Sequence, residues 1–109
     1  MALTYEQVVD AARNRFSDVD VSSVAGTRAF QINIEGKAAN GIFYIEIKDG
    51  HVNVEPYEYY DRNAVLKMNA TNFIKLLDGK LDPIAAFTLG KIKVEGDLNA
   101  ALEMIKFLK

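Results

Sequence analysis

A chain of 109 residues without a single cysteine has no disulfide and no thiolate metal site to stabilise it, so burial of its 50% apolar residues must close one compact core. A net charge of −2, with 13 basic residues gathered in no run, excludes the strongly basic balance that phosphate-backbone binding requires, so no nucleic acid is expected as a partner. No stretch approaches the ~20 uncharged apolar residues of a spanning helix, and Glu6 and Asp10 stand where a signal peptide is basic and then apolar, which reads as a soluble, cytoplasmic protein with a single domain over residues 1–109.

Thr4, with Gln7 three positions on, forms a capping box. Val8, Val9, Ala12 and Phe16 then recur at helical spacing, which predicts a surface helix over residues 4–16. Residues 17–26, polar and β-branched by turns, read as a connection. Strict alternation follows, with Phe30, Ile32 and Ile34 against Gln31, Asn33 and Glu35: a strand with one wet face, ended by Gly36 and the Asn40-Gly41 turn signal. Phe43, Ile45 and Ile47 alternate with Tyr44, Glu46 and Lys48 up to Asp49-Gly50. That two-residue link makes an antiparallel hairpin to residues 51–55, where Val52 and Val54 point inward. The three strands form a meander whose inner face is wholly apolar and needs a cover.

Helices in the second half supply the cover. Asn69 caps a helix that runs to Asp78 and is ended by Gly79, with Phe73, Ile74, Leu76 and Leu77 as its apolar surface. Asp82-Pro83 is a cap followed by proline at the first helical position, opening a short helix through Phe87 that Gly90 closes. Residues 91–95 alternate with Ile92 and Val94 inward, and Gly96-Asp97 open a last helix whose Leu98, Ala101, Leu102, Ile105 and Leu108 share a face. Strands first, then helices interleaved with further strands, argue for an α+β fold: a five-stranded, mostly antiparallel sheet covered on one face by helices.

Little in the chain signals catalysis. His51 is the only histidine and stands at a turn without an acidic cluster, and Ser22 and Ser23 lack a Gly-x-Ser-x-Gly frame. Gly79-Lys80 and Gly90-Lys91 lack the framework of a phosphate loop and read as helix C-caps. No enzyme activity, catalytic residue, metal or cofactor is expected. Tyr57, Tyr59 and Tyr60 leave two readings open: rings packed on the sheet edge with their hydroxyls in water, or a subunit contact or pocket rim. Residues 1–62 hold 6 Lys+Arg against 10 Asp+Glu, a balance of −4, and residues 63–109 hold 7 against 5, a balance of +2. The second-half excess either faces an anionic group or is simply solvated.

The run NAVLKMNATNFIKLLDGKLDPIAAFTLGKIKVE, residues 63–95, is ordered as strand, helix, GKLDP, AF and GKIKVEG. It resembles the second half of the sterol carrier protein type 2 domain, the nonspecific lipid-transfer module, with its A-x-x-x-M-x-A-x-x-F-x-x-L-x-x-G-K-L-x-P-x-x-A-F-x-x-G-K-x-K-x-x-G pattern. The first helix, the F-x-I-x-I-E-G strand and the GIFYIEIKDG hairpin fall in the family's order, so the resemblance covers essentially the whole chain. The motifs are mostly apolar positions and glycines, and the specificity lies in their order and in the total length.

The resemblance implies an apolar tunnel between sheet and helices, with noncatalytic binding and carriage of a fatty acid, acyl-thioester or sterol-like lipid. Carried over position by position, it makes Phe73, Ile74, Leu77, Phe87, Leu102 and Ile105 the pocket lining, over a floor of Ile34, Phe43 and Ile45. The chain departs from longer eukaryotic members by stopping after Phe107-Leu108-Lys109, without a tail over the pocket mouth and without a Ser-Lys-Leu signal. This departure puts sterol transfer itself in question and favours a bacterial or non-organellar setting. It also leads to the expectation of a homodimer, or of segment 57–60, closing the mouth. Membrane contact is expected to be transient at most. The competing reading is an accessory or docking module with a filled core that binds a protein partner through its tyrosines. An enzyme acting on an acyl-thioester is the third, and the inward positions contain no titratable group to support it.

Overall fold

The computed structural model describes residues 3–22, 26–37, 39–57 and 62–106, and the side chains of all of these except 104–106. Its elements run α1 (Tyr5–Phe16), β1 (Arg28–Ile34), β2 (Gly41–Lys48), β3 (His51–Glu55), β4 (Ala64–Met68), α2 (Ala70–Leu77), α3 (Pro83–Thr88), β5 (Lys93–Gly96) and α4 (Leu98–Lys106). The capping box at the head of α1 is closed in both directions. Thr4 Oγ1 accepts from the Gln7 N–H at 3.2 Å, and Gln7 Oε1 accepts from the Thr4 N–H at 2.9 Å.

The sheet has the order β3-β2-β1-β4-β5, antiparallel throughout except for the central β1–β4 pair, which is parallel. Asp49 and Gly50 take φ of 53° and 77°, the two left-handed residues that a tight hairpin requires. Register brings the apolar alternation of neighbouring strands into rows. Ile32 lies between Phe43 and Leu66, and Phe30 between Ile45 and Ala64. Asn63 closes the start of the parallel pair: its N–H donates to the Ala29 carbonyl at 2.7 Å, and its Oδ1 accepts from the Ala29 N–H at 2.8 Å.

The helices form a layer on the inner face. α1 lies against α2 and β3, α4 against β4 and β5, and α3 packs on α4. Arg15 Nε donates to the Leu77 carbonyl at 2.9 Å and so ties α1 to the end of α2. Arg13 Nε donates to the Val54 carbonyl at 2.9 Å, fastening the same helix to the edge strand.

Two details differ from the alternation pattern. The wet face expected for β1 is only partly wet, because Gln31 is 4% exposed and Ala29 and Val65 on that side are buried too. β1 is a central strand, and its register sets Gln31 between Tyr44 and Val65. Gln31 Nε2 donates to Asn33 Oδ1 at 2.9 Å. Its Oε1 has no partner among the described residues, a cost of about 1–3 kcal/mol.

The second difference is β5, which starts at Lys93 rather than at residue 91 and runs through Gly96. The N–H groups of Lys91 and Ile92 are both drawn back to the Ala86 carbonyl, at 2.8 and 3.4 Å, so ladder pairing begins only afterwards. Gly96 still pairs with Ala64, and Asp97 alone caps α4, its Oδ1 accepting from the Ala100 N–H at 3.0 Å. Gly79 and Gly90, at φ 72° and 78°, are the expected C-caps. In each case the following lysine donates its N–H back into the helix, Lys80 to Lys75 and Lys91 to Ala86, both at 2.8 Å.

Candidate functional site

The candidate site is the interlayer between sheet and helices. Asn69 Oδ1 accepts from the Asn72 N–H at 2.7 Å, which starts α2 so that Phe73, Leu76 and Leu77 face the sheet and are buried. The Phe73 ring meets Phe43 edge-on, with centroids 5.5 Å apart and planes at 75°. Phe43 in turn meets Tyr5 at 6.4 Å and 66°. An aromatic row thus runs from α1 through β2 to α2, each contact in the T-shaped arrangement that ring quadrupoles favour.

Tyr5 is the member that sequence reasoning missed. Its place depends on Gly41, where a Cβ would come within 2.5 Å of two Tyr5 ring carbons, so only glycine admits the ring. The hydroxyl donates to the Ile42 carbonyl. Burial first, and Glu6 second, raise the Tyr5 phenol above its ordinary value of 10.0. The signal available in the sequence was Gly41 at the head of an otherwise bulky strand.

Of the residues assigned to the pocket by resemblance, Ile34, Phe43 and Ile45 lie on the inner face and are fully buried, and Phe73 and Leu77 are buried above them. Ile74 is half-buried against the same core, and Leu102 is half-buried on α4. Phe87 stands apart: it is 40% exposed on α3, beside the exposed Ile84 and Leu89. The side chain of Ile105 lies outside the described ones. The structure therefore brings together the floor and the α2 residues, and leaves Phe87 at an exposed corner.

The chemistry of the interlayer is apolar. Among the described residues the one buried polar side chain is Gln31, on the opposite face of the sheet. No group of three or more His, Asp or Glu among them could hold a metal ion. His51 is exposed at the start of β3, and Tyr57 is exposed just beyond its end. Tyr59 and Tyr60 lie outside the described residues. A separate cavity of about 210 Å³ opens where α1 meets β3, walled by Phe16, Val52 and Val54 and rimmed by Arg13 and Glu55. Arg13 is flanked there by Asp10 at 3.6 Å and Glu55 at 3.5 Å, so its charge is already balanced. No helix among the described residues is long and apolar enough to cross a membrane.

Comparison with known proteins agrees with this fold. Residues 9–109 match the sequence model of the SCP-2 sterol transfer family. The chain is 34% identical over 82 residues to hydroxysteroid dehydrogenase-like protein 2 of Xenopus tropicalis, a match covering 72% of this chain and 19% of that protein. It thus spans about a fifth of the length of such relatives. Among solved structures it is similar to palmitated SCP2L2 of Aedes aegypti, with a TM-score of 0.73 and 17% identity over 97% of this chain and 95% of the other. It is also similar to the apo form of sterol carrier protein 2 from Yarrowia lipolytica, with a TM-score of 0.66 and 21% identity over 96% and 89% of the two chains. At these identities the likeness establishes a shared fold.

Proposed function

The chain belongs to the SCP-2 sterol transfer family, and from that premise we propose that it binds and carries a fatty acid, an acyl-thioester or a sterol-like lipid without transforming it. The observation that carries the reading is the composition of the interlayer. Ile34, Phe43, Ile45, Phe73 and Leu77 share one core, and the described residues bury no carboxylate, ammonium or imidazole among them. Such a place can hold a hydrocarbon and has no group positioned to react with it.

The mechanism is sequestration. Burying about ten methylenes at roughly 0.8 kcal/mol each yields about 8 kcal/mol, from which ordering of the flexible chain is subtracted. Affinity in the micromolar range follows without a specific polar contact, and discrimination between neighbouring chain lengths is weak. The floor residues are sealed, so a ligand enters by displacing a cover. The short helices α2 and α3, eight and six residues long, are the least costly to move. On this reading Ile74, Leu102 and Ile105 close over the ligand. A second copy of the chain, or segment 57–60, completes the mouth, and the carrier works in the cytoplasm.

The sealed floor also favours a second reading, a docking module with a filled core. The Xenopus tropicalis relative, of which the match spans 19%, is a far longer protein that contains such a domain as one part. Native mass spectrometry of protein purified without detergent separates the two. One bound lipid per chain, extracted and identified, is the expected result. A ligand-free mass that also takes up no added fatty acid would overturn the carrier reading and leave the docking module. The same spectrum reads out the oligomeric state.

A further inference from the structure

Three of the five large apolar side chains left exposed among the described residues fall within six positions of one another. Ile84 is 65%, Phe87 40% and Leu89 71% exposed. α3 uses Pro83 and Ala86 to pack inward, so these three are surplus to its packing. They form a blunt apolar corner between the two Gly-Lys turns, flanked by the exposed Lys80 and Lys91. Asp82, the nearest acidic residue in sequence, turns its Oδ1 to the N–H groups of Ile84 and Ala85 at 3.0 and 3.5 Å. Across residues 75–93 four lysines face only Asp78 and Asp82, whereas residues 1–62 are net acidic.

We infer that the α3 corner is a docking surface for an anionic lipid bilayer, with Ile84, Phe87 and Leu89 entering the interface and Lys80 and Lys91 meeting the lipid phosphates. A few apolar tips ringed by cations suit interfacial binding, where shallow insertion and electrostatic attraction act together. A second copy of the chain fits the corner poorly. Three side chains within six positions cannot supply the ~800 Å² per partner of a stable protein interface, and two lysine-flanked corners repel each other. The inference rests on the carrier reading for its purpose, since a carrier must meet the surface that takes its cargo. The chemistry of the corner is independent of any cargo.

The test is flotation of the full chain with vesicles of phosphatidylcholine containing about 30% phosphatidylglycerol, against phosphatidylcholine alone, at low and high salt. Partition is expected into the anionic vesicles and to weaken about tenfold in high salt or without the anionic lipid. The double variant Ile84→Ser, Leu89→Ser loses at least about tenfold in partition. Lys80→Gln with Lys91→Gln abolishes the preference for anionic lipid, and Ile42→Ser, exposed on β2 and outside the corner, changes nothing. All of these positions are exposed, so the fold is expected to be retained. Wild-type chain that does not partition, or partition indifferent to the Ile84 and Leu89 changes, overturns the inference. So does a shift from dimer to monomer in the double variant by light scattering, which would assign the corner to a second copy. Uptake of a soluble fluorescent fatty acid without vesicles keeps the two proposals apart: absent uptake rejects the carrier, and normal uptake with variant-insensitive partition rejects only the corner.

Discussion

α1 and α3 are both amphipathic helices on the same layer, and they use their apolar residues differently. α1 has twelve residues, a closed capping box and four buried side chains, Val8, Val9, Ala12 and Phe16, with Arg13 and Arg15 tying it to β3 and α2. α3 has six residues, buries Pro83 and Ala86, and leaves Ile84 and Phe87 outside. A helix whose apolar residues all find partners is explained by stability. One that carries a surplus into water pays in solubility for something stability does not require, and that surplus marks where the molecule meets something else.

Stability measurements can break this contrast. Phe43→Ala removes a ring sealed between Tyr5 and Phe73 and is expected to cost about 3–5 kcal/mol in urea denaturation, whereas Phe87→Ala costs less than about 1 kcal/mol. Equal costs would mean that the α3 corner is structural after all. Leu77→Ala is expected to lose about 2–5 kcal/mol of stability. It and Ile105→Ala should each weaken fatty-acid binding, and unchanged affinity in both, with the fold intact, would move the ligand out of the interlayer.

Gly41→Ala drives a methyl group into the Tyr5 ring and is expected to cost about 1–3 kcal/mol. Adding Tyr5→Ala should relieve part of that cost in a double-mutant cycle, and strict additivity would separate the two residues. Thr4→Ala, which opens the capping box, should lose about 1 kcal/mol. The smallest effect is on pH dependence. The raised phenol of Tyr5 contributes stability that is whole below pH 10.0, the ordinary value, and is lost as pH rises through the folded value. Tyr44 is shifted the same way, by burial and then by Glu55 and Glu46. Tyr5→Phe should therefore flatten the alkaline fall of the denaturation midpoint, and an unaltered fall would exclude Tyr5 as one of its sources.

Much of the architecture was legible in the chain. Thr4 and Gln7, the Asp49-Gly50 link, Asp82-Pro83 and the two Gly-Lys turns each act over a few residues, and each does in the structure what its local pattern indicates. The floor residues Ile34, Phe43 and Ile45 were legible as inward-facing because alternation alone decides which face a strand residue takes. Their use as a pocket remains the proposal made above. Tyr5 escaped because its position comes from a contact with Gly41, across 36 positions of sequence. The exposure of Phe87 was not legible, because its place after Ala86 in the family pattern carries no information on which side of α3 faces water.

By itself, then, the sequence determined the elements, their caps and the apolar face of each strand, since all of these depend on spacing and on groups within a turn of one another. Tertiary structure decided the rest. The parallel β1–β4 pair makes β1 central and draws Gln31 out of water. The packing of α3 through Pro83 and Ala86 turns Ile84 and Phe87 outward. In each case the deciding partner is a group set beside the residue only once the chain has folded, and no periodicity encodes that neighbour.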